Sequence, residues 1–453
     1  MRSRALDPTA RTYHPRVGCP SAAGEPGALA SGDGFESIGQ PPNREPDGRT
    51  RGRIRPGDRL AADSSPVEIV RAPGTVNLIG DQTDFNEGFV LSAAIELETW
   101  IAFRRRRDGR VRVASRTSRA PASFWIDDLT PVPESRATGP ATGAATDISP
   151  RPSPIWSDYV AATAWSLREA ALAVRGFDGF VDTTIPAGAV FSPAAALELA
   201  SAVALLRDGA TAAPALAALA QRAERDYLGL NSGIVDQFTS AAGHEGKALL
   251  LDCRSLDARY LPLPFGIRLV ICDTGSDGKV SLAAYEARRA ECARAVALLA
   301  ERIPGLCSMR DLDAAALRRH RAVLPERTAR RVEHVIAENG RVAATAAALE
   351  AGDLDALGLI FAESHASLRD RYEISTPALD AMVEVAAAIP GVVAARMSGD
   401  GRGSCTVNLV LADAVPALEA AVTREYGRRT GLTGRVYSVA LVNGAGPVNP
   451  ASG

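Results

Sequence analysis

Apolar and polar positions change their period several times along the chain, and each change marks an element. "PVEIVRAPG" opens with Val67 to Val70, which predict a short strand that Pro73-Gly74 breaks. "WIAFRRRRDGRVRVASR" predicts two strands around Asp108-Gly109, a dipeptide suited to a tight hairpin. Helical spacing takes over in "SDYVAATAWSLREAALAVRG", with a Ser-Asp start and a terminal Gly176, and returns in "FSPAAALELASAVALL" and "APALAALAQRAERDYLGL". From about residue 258, "ARYLPLPFGIRLVICDTG" predicts a strand pair. Long helices follow in "SLAAYEARRAECARAVALLAER", "ARRVEHVIAENGRVAATAAALEAG" and "TPALDAMVEVAAAIPG". The chain closes with a strand in "SCTVNLVLAD", a helix in "AVPALEAAVTREYGRRTG" and a strand in "RVYSVALVNGAG". Strands and helices mix without strict βαβ alternation, which predicts an α+β protein in two lobes.

Two stretches carry no periodicity. Residues 1–62 are rich in Gly, Pro, Arg, Ser and Asp and are expected to be a disordered leader, although an over-long gene start would look the same. "TPVPESRATGPATGAATDISPRPSP" reads as a long surface insertion. The expected organisation is therefore a leader over 1–62, an N-terminal lobe over 63–255 and a C-terminal lobe over 256–453. A length of 453 residues suits this division, at roughly 100–200 residues per domain.

Charge and composition narrow the function. The net charge of −2 gives no global pull toward nucleic acid or an anionic membrane, so a small-molecule ligand is the default. Arg104 to Arg107 read as a solvated strand edge rather than a nucleic-acid patch. The six cysteines are scattered without a CxxC pair, which suits reduced thiols in a cytoplasmic protein. The five histidines show no paired-ligand spacing. The N-terminus lacks the apolar core of a secretory signal, and the apolar stretch from Ala194 to Leu206 is too short for a membrane span and carries Glu198.

Three glycine-containing loops stand beside strands or helices, at residues 71–88, 185–200 and 395–410. The first, "RAPGTVNLIGDQTDFNEGFVL", packs Gly, Asn, Asp, Gln and Thr between two apolar runs, with Thr75 where a phosphate-handling site calls for a cation. These loops, together with "NSGIVDQFTSAAGHEGKALLLDCRSLD", "YEARRAEC", "ESHASLRDRYEIS" and "RMSGDGRGSCTV", appear in the order of the galactokinase family. That family lies within the superfamily of galacto-, homoserine, mevalonate and phosphomevalonate kinases. The chain resembles it from about residue 66 to 449.

The resemblance implies a two-lobed kinase with a cleft between the lobes, transferring the γ-phosphoryl group of Mg-ATP to the anomeric hydroxyl of galactose or a related sugar. Asp236 matches the carboxylate that takes, or electrostatically relieves, the proton of that hydroxyl. Asp84 and Tyr285 match sugar-binding residues, and Gly233 a position where backbone approaches the sugar. Asp81 and Gln82 stand where the family usually has Glu and His, so the sugar pocket is expected to be re-cut. Gly188, Ala189 and Ser192 fall in the phosphate loop, where Val190 replaces a glycine and Pro193 and Ala194 replace hydroxyl residues. Ser192-Pro193 is also a good N-cap and N1 pair, so a helix is expected to start there. Glu224 matches a Mg²⁺-coordinating Glu, and Ser192 is a second candidate ligand. Arg402, in the third loop, could offset the charge of Asp400. Thr75 replaces the family's Arg, a loss worth roughly 10³–10⁵ in rate where such arginines act.

The implied ligands are a sugar, ATP and Mg²⁺, with no nucleic acid or membrane partner and a monomer in the cytoplasm. A second reading is a catalytically impaired sugar or nucleotide sensor, or a regulator of a partner, built on the same fold. A third is a decaying relative that binds nothing.

Overall fold

The structure, a computed structural model, describes residues 66–118, 120–131, 154–186, 191–207, 211–276, 282–399 and 405–448. The leader and most of the insertion after residue 130 lie outside these, as do Gly188, Ala189 and Arg402. The chain begins with β1 (Glu68–Ile79), β2 (Phe89–Arg105), β3 (Arg110–Ser115) and β4 (Ala122–Trp125). Then come α1 (Trp156–Glu169), β5 (Phe177–Thr183), α2 (Pro193–Leu205), α3 (Ala213–Arg222), α4 (Val235–Ala242), β6 (Lys247–Asp252) and β7 (Ala258–Pro262). The remainder is β8 (Ile267–Asp273), seven α-helices and four strands among the described residues. The helices α5 (Leu282–Ala300), α6 (Ala314–His320), α7 (Glu326–Ala351), α8 (Leu354–Ser367) and α9 (Pro377–Ala387) precede β9 (Val392–Met397) and β10 (Cys405–Leu411). Two short helices, α10 (Val415–Ala421) and α11 (Gly427–Thr430), lead to β11 (Arg435–Val439) and β12 (Gly446–Pro447).

The expected α+β mixture is present as two sheets. One runs β12-β1-β2-β5-β3-β4, with β6 on β2 and β7 on β6; the other runs β11-β8-β10-β9 and is wholly antiparallel. The 17-residue β2 serves two partners on one edge, β6 along Phe89–Ser92 and β5 along Thr99–Arg105. Apolar residues of both sheets, among them Val76, Ile101, Ile271 and Leu409, share one continuous core. Burial of this shared core is the main favourable term holding the two sheets together.

Four local expectations are corrected. Pro73-Gly74 does not end the first strand: β1 continues through it to Ile79, and the pair is absorbed as a register shift against β2. The segments flanking Asp108-Gly109 are both strands, but they do not form a hairpin. β5 enters between them, antiparallel to β2 and parallel to β3, after Gly176 exchanges hydrogen bonds with Arg106 and Asp108. β7 and β8 are the two strands expected from residue 258 onward, but they do not pair: the chain leaves the first sheet after Pro262 and joins the second at Ile267. The arginine run is not on a sheet edge: it lies at the C-terminal end of β2, between β1 and β5, and is held in ion pairs, with Arg105 on Glu68 and Arg106 on Asp108 and Asp178.

Candidate active site

The centre of the site is built from β1, the start of α2 and the first turn of α4. Thr75 lies beyond the Pro73-Gly74 shift and is fully buried. Its hydroxyl donates to Asp236 Oδ1 at 2.8 Å, and its oxygen lies 2.9 Å from Ser192 Oγ. A hydroxyl has one proton, so a Thr75 that donates to an ionised Asp236 accepts from Ser192. The helix expected at Pro193 does begin there, with Ser192 at its N-cap. The serine adopts a left-handed backbone with φ 50°, however, and its hydroxyl makes no capping bond; it turns to Thr75 instead. Asp236 stands in the first turn of α4, where the positive end of the helix dipole favours a carboxylate.

Behind Asp236 lies a buried carboxyl pair. Glu198 on α2 is fully buried, and Glu224 sits in a π-helical turn, Ala223–Tyr227, that continues α3. Such turns insert one residue into a helix and often mark functional positions. Gln237 bridges them, donating from Nε2 to Glu224 Oε2 at 2.9 Å and to Glu198 Oε2 at 3.4 Å. Burial, reinforced by the charge of Glu224, pushes the Glu198 carboxyl well above the usual range. Glu224 is also raised, first by burial and further by the charge of Asp236. Glu198 Oε1 and Gln237 Oε1 are buried oxygens without a hydrogen-bond partner. Hard oxygen donors of this type suit Mg²⁺, although no group of three or more His, Cys, Asp or Glu with metal-holding geometry occurs among the described residues. Glu198 gives one sequence signal, a lone acid inside an otherwise apolar helix.

A second corner gathers Asp84, Phe85, Gly233 and Tyr285. Asp84 is half-buried and its carboxyl is raised to about 6. Loss of water is the main cause; the Phe85 N–H and the Arg289 guanidinium oppose it, and the charges of Asp236 and Asp81 add to it. Gly233 is needed here because a Cβ would overlap Asp84 Oδ2. Tyr285 on α5 meets Phe85 edge-on, with centroids 6.4 Å apart. Arg289, one turn along α5, lies 4.6 Å over the Phe85 ring and donates to Asn231 O at 2.8 Å and to Tyr285 Oη at 3.3 Å. It thus ties together the three segments that carry Asp84, Gly233 and Tyr285. As one of several arginines on an exposed-looking helix, it does not stand out in the sequence.

Asp81 and Gln82 face a different environment. Gly80 turns the chain with φ 102° in a position where a Cβ would lie 2.6 Å from Phe89 O. The Asp81 carboxylate is thereby directed onto the fully buried Arg396, and it also accepts from Gly399 N at 2.9 Å and Asn77 Nδ2 at 3.4 Å. Around it, His334 Nε2 lies 3.2 Å from Asp81 O, and Glu338 Oε1 accepts from Gly80 N at 3.2 Å. Burial lowers His334 to about 4, so the imidazole is neutral at physiological pH. Gln82 has a left-handed backbone, its carbonyl accepts from Asn86 Nδ2 at 2.8 Å, and its Oε1 is buried without a partner. The structure therefore brings Asp236, Ser192 and Thr75 together, and Asp84 with Gly233 and Tyr285, while Asp81 points into a buried ionic network.

Comparison with known proteins accords with this arrangement. The family model of the galactokinase galactose-binding signature matches residues 61–105. Those of the GHMP kinase N-terminal domain and the GHMP kinase C-terminal region match residues 158–244 and 345–428. A galactokinase of Chloroflexus aggregans is 38% identical over 370 residues, 81% of this chain and 90% of that protein. The crystal structure of Lactococcus lactis galactokinase complexed with galactose superimposes with a TM-score of 0.76 at 30% identity, covering 85% of this chain and 96% of that one. The Methanococcus jannaschii mevalonate kinase shares the fold at a TM-score of 0.55 and 14% identity, covering 84% of this chain and all of that one.

Proposed function

The chain belongs to the galactokinase family, and we propose that it transfers the γ-phosphoryl group of ATP to the anomeric hydroxyl of galactose or a close epimer. The observation that carries this reading is the pair of carboxylates in unlike settings: Asp236, held by the Thr75 hydroxyl in a helix first turn, and Asp84, half-buried against Gly233. Asp236 accepts the proton of the attacking hydroxyl as the bond to phosphorus forms and the β–γ bridge breaks. Asp84 and Tyr285 hold neighbouring sugar hydroxyls, and the fixed spacing between them discriminates epimers. Thr75 orients Asp236 but brings no charge to the transferring phosphoryl group. The α2 N-terminus, next to Ser192, supplies a favourable dipole for that group.

Glu224 and Ser192 would hold Mg²⁺, which when bound neutralises phosphate charge. Two lobes, 63–255 and 256–453, would close a cleft around the ligands. Gly188, Ala189 and Arg402 would face the nucleotide. The protein would work as a cytoplasmic monomer; no helix among the described residues is long and apolar enough to cross a membrane. The sensor reading finds no support in relatives that are themselves galactokinases over most of their length.

The test is ADP release by purified protein with Mg-ATP and a panel of galactose and its epimers. ADP should accumulate in proportion to one sugar of the panel. Release no faster than the sugar-free blank, for every sugar, would refute the proposal.

A further inference from the structure

We propose that Arg289 is a specificity-determining positioning residue: by holding helix α5 to loop 231–233 and to Phe85, it sets the spacing between Tyr285 and Asp84 that tells one sugar epimer from another. The inference rests on the kinase reading above. The two sugar-facing side chains come from distant parts of the chain, Asp84 after β1 and Tyr285 near the start of α5. Arg289 Nη1 donates to Asn231 O at 2.8 Å and to Tyr285 Oη at 3.3 Å, and Nη2 donates to Asn231 Oδ1 at 3.1 Å. The guanidinium carbon lies 4.6 Å from the centroid of the Phe85 ring and 5.9 Å from that of Tyr285. Loop 231–233 ends at Gly233, whose missing Cβ makes room for the Asp84 carboxylate. One planar group therefore touches the residue beside Asp84, the loop that backs it and the hydroxyl of Tyr285.

A lysine in this place would keep the charge and lose the arrangement. An ammonium is a point charge on a flexible stem with no plane to stack, whereas the guanidinium is a rigid fork. The charge has an effect of its own. Burial raises the Asp84 carboxyl, and Arg289 opposes it. The other ionisable groups facing Asp84 are Asp236 on α4, Asp81 on the preceding turn and the Cys253 thiol after β6, which burial keeps protonated. Arg310, near that thiol, is committed to Asp252 at 2.9 Å. Both acids raise the Asp84 carboxyl further, so Arg289 is the group of this set that favours its ionised, hydrogen-bond-accepting form. Substitution can therefore separate the two contributions: Lys removes the geometry, and Gln removes the geometry and the charge.

The experiment is steady-state ADP release by the full chain as wild type, Arg289→Lys and Arg289→Gln, with Mg-ATP and the sugar panel, from about pH 5 to 8. For the preferred sugar, KM should rise by about 10-fold in both variants, with a change in kcat below about 3-fold. The preference in kcat/KM over the next best epimer should fall by about 10-fold. The acid limb of kcat/KM should stay near 6 in Arg289→Lys and move up by about 0.5 pH unit or more in Arg289→Gln. A purely structural role would lower the melting temperature and scale kcat/KM for all sugars alike, with preference and limb unmoved, which would overturn the proposal. Wild-type KM and preference in Arg289→Lys would overturn it too, because charge alone would then suffice. An unmoved limb in Arg289→Gln would take Arg289 out of the surroundings of Asp84 and overturn it as well. A wild type that releases no ADP with any sugar would instead overturn the kinase reading, and the inference with it.

Discussion

The Asp84 corner and the Thr75 corner solve different problems with similar residues. Around Asp84, a carboxylate, a tyrosine and a glycine that admits the carboxylate are held by one arginine that reaches three segments. Around Thr75, the carboxylate and the helix start are kept, but hydroxyls stand where a phosphoryl-transfer site uses a cation. The difference separates recognition from rate. On the proposed reading the first corner binds and orients the sugar, whereas the second supplies the base with a hydroxyl, that of Thr75, at the position of the cation. A slow enzyme with ordinary sugar affinity is the expected phenotype.

The comparison breaks most sharply at Asp236. Asp236→Asn keeps the shape and can still accept from Thr75, so the melting temperature should hold while kcat drops by about 10²–10⁴-fold in steady-state assays. A comparable drop in galactose affinity would move Asp236 from the rate side to the recognition side. Next in size is Gly233→Ala. Its new Cβ must displace the Asp84 carboxylate, and displacements of about 1 Å in such sites cost up to about 10²-fold. The galactose KM should rise by about 10- to 100-fold, with a smaller change in kcat.

Thr75→Arg sharpens the other side. It restores the missing charge, but Thr75 is enclosed by Ser192, Asp236 and the carbonyl of Phe191, which accepts from Thr75 N at 3.2 Å. Overpacking of this kind costs about 1–3 kcal/mol, so stability should fall while kcat rises by about 10-fold, short of the full worth of such an arginine. An unchanged kcat would shift the deficit to the altered phosphate loop.

The smallest effect is in the pH profile. The folded Asp84 carboxyl titrates near 6, above the roughly 3.9 of an unfolded aspartate. Its stabilising contribution is complete below about pH 4 and is lost as pH rises through 6. Asp84→Asn should therefore gain about 1–2 kcal/mol of stability at pH 7, allowing for partial exposure, and little at pH 4. Galactose kcat/KM should rise through an apparent pKa near 6 in the wild type, and that limb should vanish in the variant. Chemical denaturation at the two pH values and a pH–rate profile check both halves.

What could be read from the sequence was mostly local. Helix α2 begins at Pro193 as the Ser-Pro pair predicts, and strand β10 forms where the late apolar run predicts one. Non-local pairing could not be read. The insertion of β5 between β2 and β3, and the departure of β8 into a second sheet, are decided by partners far along the chain. The same holds for the Asp81 network. Arg396 meets Leu78 and Asp81 across more than 300 residues, and Glu338 and His334 sit on α7 with the spacing of ordinary amphipathic helix residues. Ser192 shows a subtler limit. Its residue type suited a cap, but the hydroxyl of Thr75, 117 positions earlier, takes that side chain instead.

The most direct measurement is phosphorus NMR of a single-turnover reaction with enzyme in excess over Mg-ATP and galactose present. The wild type should convert the γ-phosphoryl signal into that of a sugar phosphorylated at its anomeric oxygen, and Asp236→Asn should leave it unconverted over the same time. Absence of that product with the wild type, or its equal formation by the variant, would contradict the assignment of Asp236 as the base of a sugar kinase.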